Sequence, residues 1–251
     1  MLEKIELGRI EIIAKKAGEA IMEIYQKDFT VEYKDDKSPL TQADLKANEI
    51  ICNALKELYP NIPIMSEENK QVEYEVRKEW EYYWCIDPID GTKEFIKKND
   101  EFTVNIALIY EKKPVLGVVY APVIDEMYKA KKGFGAFKNN HRLPLQLNDS
   151  LKEKLVVVAS KSHLSKETQD FINKLDTNYI EQISKGSSLK FCMIATGEAD
   201  IYPRLAPTME WDTAAADAIV REAGKMTYEF YNKKSLVYNK EDLLNPWFVV
   251  R

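Results

Sequence analysis

The chain has 251 residues, 45% of them hydrophobic and 31% charged, with a net charge of −5. That length supports one large domain or two closely packed lobes, and the composition is that of a soluble globular protein. The acidic balance excludes a nucleic-acid-coating protein, which needs a basic face, yet allows an anionic substrate where bound cations invert the local field.

The three cysteines, Cys52, Cys85 and Cys192, are far apart in apolar or helical contexts. They form neither a metal-ligand set nor a redox pair, and their odd number points to free thiols in a reducing compartment. The opening Met-Leu-Glu-Lys-Ile-Glu lacks a signal-peptide pattern, and no apolar run is long enough to span a bilayer. A cytoplasmic protein is expected, with peripheral membrane association left open.

In chain order, residues 2–26 predict an amphipathic packing helix, with Ile5, Ile12, Ala17, Ile21 and Ile24 at helical spacing. A strand, Thr30 to Lys34, and a charged loop to Pro39 follow. Thr41 reads as an N-cap with Asp44 in capping-box position, opening a helix that ends near Tyr59, before Pro60. Asn61 to Met65 reads as a strand that ends in Ser66-Glu67-Glu68, and residues 69–81 as a charged stretch.

Trp84-Cys85-Ile86 is an apolar strand running into Asp87-Pro88-Ile89-Asp90-Gly91-Thr92. Pro88 removes a backbone donor and fixes φ, and Gly91 permits conformations closed to most residues. The strand is therefore expected to stop in a tight turn that carries two carboxylates and exposes the Ile89 carbonyl. A solvated turn is the plain alternative. The strand leading in favours a site, because it places the carboxylates at a sheet edge, where ligands bind in α/β proteins. Carboxylates and a carbonyl with no Lys or Arg between them suit a hard divalent cation, Mg²⁺ before Zn²⁺.

Beyond Thr92, residues 102–110 and 114–121 predict a hairpin around Glu111-Lys112-Lys113, and 125–130 and 134–138 short strands around Gly133 and Gly135. Residues 140–152 are polar and read as the join between two lobes. Leu155 to Ala159 is a buried strand opening onto Ser160-Lys161-Ser162-His163, with a helix from about Ser165. A strand from Asn178 to Gln182 precedes Lys185-Gly186-Ser187-Ser188-Leu189-Lys190, which opens a helix to about Ala195. A Gly-Ser-Ser turn at a helix N-terminus suits a phosphate, and reads equally as a simple cap. Asp200 to Arg204 is a strand. Trp211-Asp212 opens a helix to about Ala223, with Asp212 as its expected cap, and Lys225 to Arg251 is short strands and turns.

The hexamer Asp87-Pro88-Ile89-Asp90-Gly91-Thr92, preceded by Glu67-Glu68 and followed by Trp211-Asp212, resembles the metal-ligating signature of the inositol monophosphatase superfamily of Mg²⁺-dependent, lithium-sensitive phosphatases. The resemblance covers nearly the whole chain. It implies a layered α/β/α/β/α sandwich: one catalytic domain over 1–251, with a metal-binding lobe (1–147) and a substrate-binding lobe (148–251). It implies two or three Mg²⁺, one held by Glu67, Asp87 and the Ile89 carbonyl and another by Asp87, Asp90 and Asp212. Asp44 and Thr92 resemble the dyad that orients and deprotonates the attacking water. Substrate contacts are implied at Glu67, Ile89, Asp90, Gly91, Thr92, His163, Ser187, Lys190, Arg204 and Asp212, and Li⁺ is implied as an inhibitor.

Gly91-Thr92-Lys93-Glu94-Phe95-Ile96, Gly186-Ser187-Ser188-Leu189-Lys190-Phe191 and Tyr202-Pro203-Arg204 resemble the 3′(2′),5′-bisphosphate nucleotidase branch, the CysQ type. That branch removes the 3′-phosphate of adenosine 3′,5′-bisphosphate, a by-product of sulfate assimilation, and its sulfated analogue is a further substrate to consider. Lys190 and Arg204 can serve the second phosphate. Ser66, where inositol monophosphatases carry Gly, and Ala216, where many members carry Gly, are departures. An inositol or sugar monophosphatase of the same fold is the alternative. A non-catalytic regulatory protein is a third, against which the full carboxylate set argues. Whether the chain is a monomer or a homodimer stays open.

Overall fold

The computed structural model describes residues 1–34, 39–145, 154–177 and 179–251. A 3₁₀ turn, Leu2–Lys4, precedes α1 (Leu7–Tyr25). The strands β1 (Val31–Tyr33) and β2 (Pro39–Thr41) pair antiparallel, and α2 (Gln42–Leu58) starts directly from β2. Next come β3 (Ile64–Ser66), α3 (Tyr74–Arg77), β4 (Tyr82–Asp90) and α4 (Thr92–Ile96). The strands β5 (Thr103–Tyr110), β6 (Lys113–Ala121), β7 (Glu126–Lys131), β8 (Gly135–Lys138) and β9 (His141–Arg142) then complete the large sheet. The remainder is β10 (Leu155–Ser160), α5 (Lys166–Asn173), β11 (Ile180–Lys185), α6 (Leu189–Thr196), β12 (Tyr202–Arg204), α7 (Glu210–Glu222), β13 (Thr227–Glu229) and β14 (Phe248–Val250).

The large sheet has the order β3-β4-β5-β6-β7-β8-β9. Only β3 and β4 run parallel; every later pair is antiparallel. Both faces are covered, so β4 to β6 are near-continuous apolar runs rather than alternating ones. Along β4 the pleat sends Trp84 and Ile86 to one face and Tyr83 and Cys85 to the other. The first pair packs with α1 and α2 in one core; the second packs with α6, α7, Tyr202 and Phe248 in another. A third, smaller core joins Val157, Ile201 and Val249 to Ile172 of α5. The layers are, in order, α1 with α2, the large sheet, α6 with α7, the small strands, and α5. This is the α/β/α/β/α sandwich.

A row of small residues crosses the face under α7. Ala107 of β5 stands opposite Gly117 of β6, Gly117 opposite Ala130 of β7, and Ala130 opposite Ala136 of β8. Helix α7 lays its buried Ala214, Ala215, Ala216 and Ala218 against this face. The approach at Gly117 is so close that a Cβ there would lie 2.0 Å from the Ala215 carbonyl oxygen.

Four expectations need correction. Ile12 is 56% exposed. It stands two residues after Ile10, about 200° round the helix, while Ile10, Ile13, Ala14, Ala17 and Ile21 form the buried face. Pro39, expected as the last loop residue, opens a strand with Leu40 and Thr41 in a two-stranded sheet, where both strands are edges. The charged stretch 69–81 contains α3. Asp212 is not the cap of α7: Met209 is, and Asp212 is the third helical residue, its carboxylate accepting from Met209 N–H at 2.8 Å. The expected lobe boundary at 147/148, the loop residues 35–38 and Asn178 lie outside the described residues. Cys52, Cys85 and Cys192 are buried free thiols.

Candidate active site

The strand β4 does not stop before Asp87 as expected; it continues through Pro88 to Asp90. Asp87 pairs with Asn105 and Asp90 with Thr103, so three steps along β4 match two along β5. That is a β-bulge, and it accommodates a proline that cannot join the ladder. The bulge also sets the side chains. Asn105 and Thr103 are two apart and share a face, so Asp87 and Asp90 opposite them share it too, which three regular steps would forbid. Ile89 N–H donates to Asp87 Oδ1 at 3.1 Å, closing the bend. Gly91 then takes φ +97°, with Glu101 O 3.0 Å from where a Cβ would sit, and α4 begins at Thr92.

Asp44 is buried beneath Thr92. Its Oδ2 accepts from Thr41 N–H at 2.8 Å and Thr41 Oγ1 at 2.6 Å, the capping box of α2. Its Oδ1 lies 3.2 Å from Thr92 Oγ1, which is also 3.2 Å from the Ile89 carbonyl. The hydroxyl has one proton, so donation to either acceptor leaves its lone pairs open to the cleft. Burial raises the Asp44 pKa, and the hydrogen bonds from Thr41 and Thr92 oppose that rise.

Among the described residues, Glu67, Asp87 and Asp212 each offer a carboxylate oxygen, all within 4.8 Å of one another. They come from the end of β3, the bulge of β4 and the first turn of α7. Burial, then the charges of Glu67, Asp90 and Asp212, hold the Asp87 carboxyl well above the usual range. Burial, then Asp90 and Glu67, does the same to Asp212. An all-oxygen set whose charges repel one another fits a hard divalent cation. Lys34 meets part of that demand: its Nζ lies 2.9 Å from Glu67 Oε1 and 2.6 Å from Glu68 Oε1. Burial works against the Lys34 charge, yet Glu67 and Glu68 outweigh it and raise the pKa. The Glu68 carboxyl is itself pushed up by burial to about 7.

Asp90 is held differently. Its Oδ2 accepts from Ser187 Oγ at 2.9 Å and Asn105 Nδ2 at 3.3 Å. Thr103 Oγ1 lies 2.6 Å from Ser187 Oγ, Asn105 Nδ2 donates to Ser188 Oγ at 2.9 Å, and Ser188 Oγ donates to Asp212 O at 3.0 Å. The Gly-Ser-Ser turn therefore ties β5 to the start of α7, and Ser188 makes no side-chain cap to α6.

The opposite wall is cationic. Lys190 is buried, with Nζ donating to Ser187 O at 2.6 Å and lying 5.5 Å from the centre of the Tyr202 ring. Burial, reinforced by Arg204, lowers its pKa to about 8. Arg204 donates from Nε to Thr208 Oγ1 at 2.6 Å and from a terminal nitrogen to Pro207 O at 2.8 Å. His163 is exposed at the cleft. Partial desolvation, with Lys93 and Arg204 nearby, pushes its pKa down to about 4.

One cleft of about 260 Å³ is lined by Glu67, Asp87, Ile89, Asp90, Gly91, Thr92, His163, Ser187, Lys190, Arg204 and Asp212, with Asp44 just below its floor. Sequence reasoning missed Lys34, Thr103, Asn105 and Lys93. Thr103 and Asn105 carried a signal, two polar residues at period two opening an otherwise apolar strand. No helix among the described residues is long and apolar enough to cross a membrane.

Comparisons with known proteins point to one family. The family model described as the inositol monophosphatase family matches residues 1–246. A Salmonella typhimurium protein named 3′(2′),5′-bisphosphate nucleotidase CysQ is 45% identical over 240 residues, covering 95% of this chain and 96% of that one. The crystal structure of CysQ from Bacteroides thetaiotaomicron superposes with a TM-score of 0.85 at 46% identity, covering 95% of this chain and 94% of the other. The IMPase of Thermotoga maritima superposes at 0.78 with 28% identity, covering 95% and 89%. Fold, carboxylate cluster and full-length similarity together assign the chain to a family of metal-dependent phosphatases: it belongs to the inositol monophosphatase family.

Proposed function

We propose that this chain is a Mg²⁺-dependent 3′(2′),5′-bisphosphate nucleotidase that hydrolyses the 3′-phosphate of adenosine 3′,5′-bisphosphate, releasing AMP and phosphate, as needed in sulfur assimilation. The observation that carries the reading is a cleft with two unlike walls. Carboxylates on one side suit cations that would hold the reacting phosphate, and Lys190 and Arg204 on the other, beside the His163 ring, suit a second anion. An inositol monophosphate has no second phosphate to place there. The similarity to the CysQ proteins supports the same choice.

The residues that would hold Mg²⁺ are Glu67, Asp87, Asp212, the Ile89 carbonyl and Asp90, with room in the ligand set for two or three ions. When bound, the ions supply positive charge to the phosphoryl oxygens and acidify water. The chain's own part is orientation and proton transfer. Thr92 Oγ1 accepts from the attacking water and passes a proton to Asp44 Oδ1, 3.2 Å away. The Thr41 N–H and hydroxyl hold Asp44 in position for it. Ser187 and Asn105 fix the Asp90 carboxylate, and Gly91, His163, Ser187, Lys190 and Arg204 meet the nucleotide. Li⁺, near Mg²⁺ in size with half its charge, is the expected inhibitor.

Phosphate release from adenosine 3′,5′-bisphosphate, its sulfated analogue, inositol 1-phosphate and fructose 1,6-bisphosphate tests the reading, with and without chelator. The highest kcat/KM should fall on adenosine 3′,5′-bisphosphate, and chelation should abolish it. A preference for inositol 1-phosphate would return the chain to the monophosphatase alternative.

A further inference from the structure

The Gly91-Thr92-Lys93-Glu94-Phe95 run marks the nucleotidase branch by resemblance, yet the reaction as derived uses only its first two residues. The structure accounts for the rest. Phe95 is fully buried among Tyr25, Phe29 and Phe102 and anchors the short helix α4. Glu94 is 5% exposed and accepts a hydrogen bond from Ser162 Oγ. It thereby fixes the loop after β10, which bears His163, and a second bond, from His163 N–H to Ser160 Oγ at 3.0 Å, shapes the same loop. Lys93 directly precedes the two buried residues Glu94 and Phe95. It lines the cleft, and its Nζ is 3.4 Å from His163 Nε2.

The other cations of this wall are held more tightly. Lys190 is buried, directs one donor to the Ser187 carbonyl, faces the Tyr202 ring and holds the Gly-Ser-Ser turn. Arg204 spends two of its three nitrogens on Thr208 and Pro207, and the third lies 3.5 Å from the His163 carbonyl. Lys93 forms no ion pair among the described residues, and a single imidazole nitrogen takes at most one of its three donors. With its pKa pushed down to about 4, the His163 ring is neutral at neutral pH and accepts from the ammonium instead of repelling it. Lys93 also directly follows Thr92, so its backbone is about 3.8 Å from that of the residue beside the reacting phosphate.

We propose that Lys93 is the specificity-determining contact for the substrate's second phosphate, with His163 as the positioning residue that turns its ammonium into the cleft. The assignment rests on the bisphosphate nucleotidase reading and refines it. Lys190, which is buried, and Arg204, each of whose three nitrogens has a partner, add charge to the wall, whereas Lys93 is exposed and has a single partner. One short helix then carries the catalytic hydroxyl and the group that recognises the substrate, so the two phosphates are measured against each other by a rigid span of adjacent residues.

The test compares kcat/KM for adenosine 3′,5′-bisphosphate with that for adenosine 3′-monophosphate, which lacks the second phosphate, in wild type, Lys93→Gln and Lys93→Arg. Wild type should prefer the bisphosphate. Lys93→Gln should reduce that ratio on the order of 10–100-fold, mainly through KM, as expected for the loss of a charge-assisted contact. Lys93→Arg should restore most of it, and His163→Ala should reduce the ratio less than Lys93→Gln. Equal losses on both substrates, or no loss on either, would overturn the assignment while leaving the nucleotidase reading intact. A wild type with no preference for the bisphosphate would overturn both.

Discussion

At Asp44 the structural role and the proposed chemical role fall on different oxygens of one carboxylate. Oδ2 closes the capping box of α2, and Oδ1 faces Thr92. An Asn in its place keeps an oxygen for the Thr41 N–H but cannot take a proton. Asp44→Asn should therefore lower the single-turnover rate of phosphate release about 10²–10⁴-fold, the usual share of general-base catalysis, with the melting temperature little changed. A near-wild-type rate would confine Asp44 to the cap. The residues singled out in the sequence were legible because carboxylates at the ends of apolar runs stand out, and three such ends in order form a pattern. Lys34 was not legible. Its partners Glu67 and Glu68 are more than thirty residues away, and only the fold brings an ammonium to them.

At the scale of elements, helix α7 links packing to the site. Its alanines sit on the Ala107–Gly117–Ala130–Ala136 row, and its first turn carries Asp212. Gly117→Ala would place a methyl 2.0 Å from a backbone oxygen, so the helix has to move. Overpacking of this kind costs about 1–3 kcal/mol. At about 2–4 °C per kcal/mol for a chain of this size, thermal unfolding should come several degrees earlier. Because the displaced helix carries Asp212, the Mg²⁺ concentration for half-maximal activity should rise as well. Unchanged stability would mean that the sheet, not the helix, yields. The hairpin of β5 and β6 was legible from two apolar runs about a charged turn, and the structure places its turn at Glu111 and Lys112, both at positive φ. The continuation of β4 was not legible, since Asp, Pro and Gly are the residues that normally end a strand.

Across the whole molecule, the carboxylates brought together from β3, β4 and α7 oppose folding when ionised. Burial and mutual repulsion raise the Asp87 and Asp212 pKa values well above the usual range. A carboxyl with a raised folded-state pKa keeps a proton that the unfolded chain releases, so stability falls as pH rises above about 4 towards the raised value. In chelator, the melting temperature should drop as pH is raised from about 4, and added Mg²⁺ should raise it more at the alkaline end, where it binds the ionised ligands. A metal-free profile that stays flat or rises over this range would contradict the charge balance of the site. Alternating helices and strands made an α/β protein legible, but the order of five layers came only from the family resemblance. Periodicity reports which face of an element is buried, and not which partner covers it.

The bulge between Asp87 and Asp90 makes β4 intolerant of changes in length. Along a strand, facing alternates with every residue, so one inserted or deleted codon between Tyr82 and Asp90 would exchange inside and outside for everything on one side of the change. Trp84 and Ile86 would turn towards α7, or the two carboxylates away from the cleft. In-frame deletions and duplications should thus be purged from this segment far more strictly than from the exposed turn at Glu111 and Lys112, where a longer loop leaves the facing of both strands unchanged.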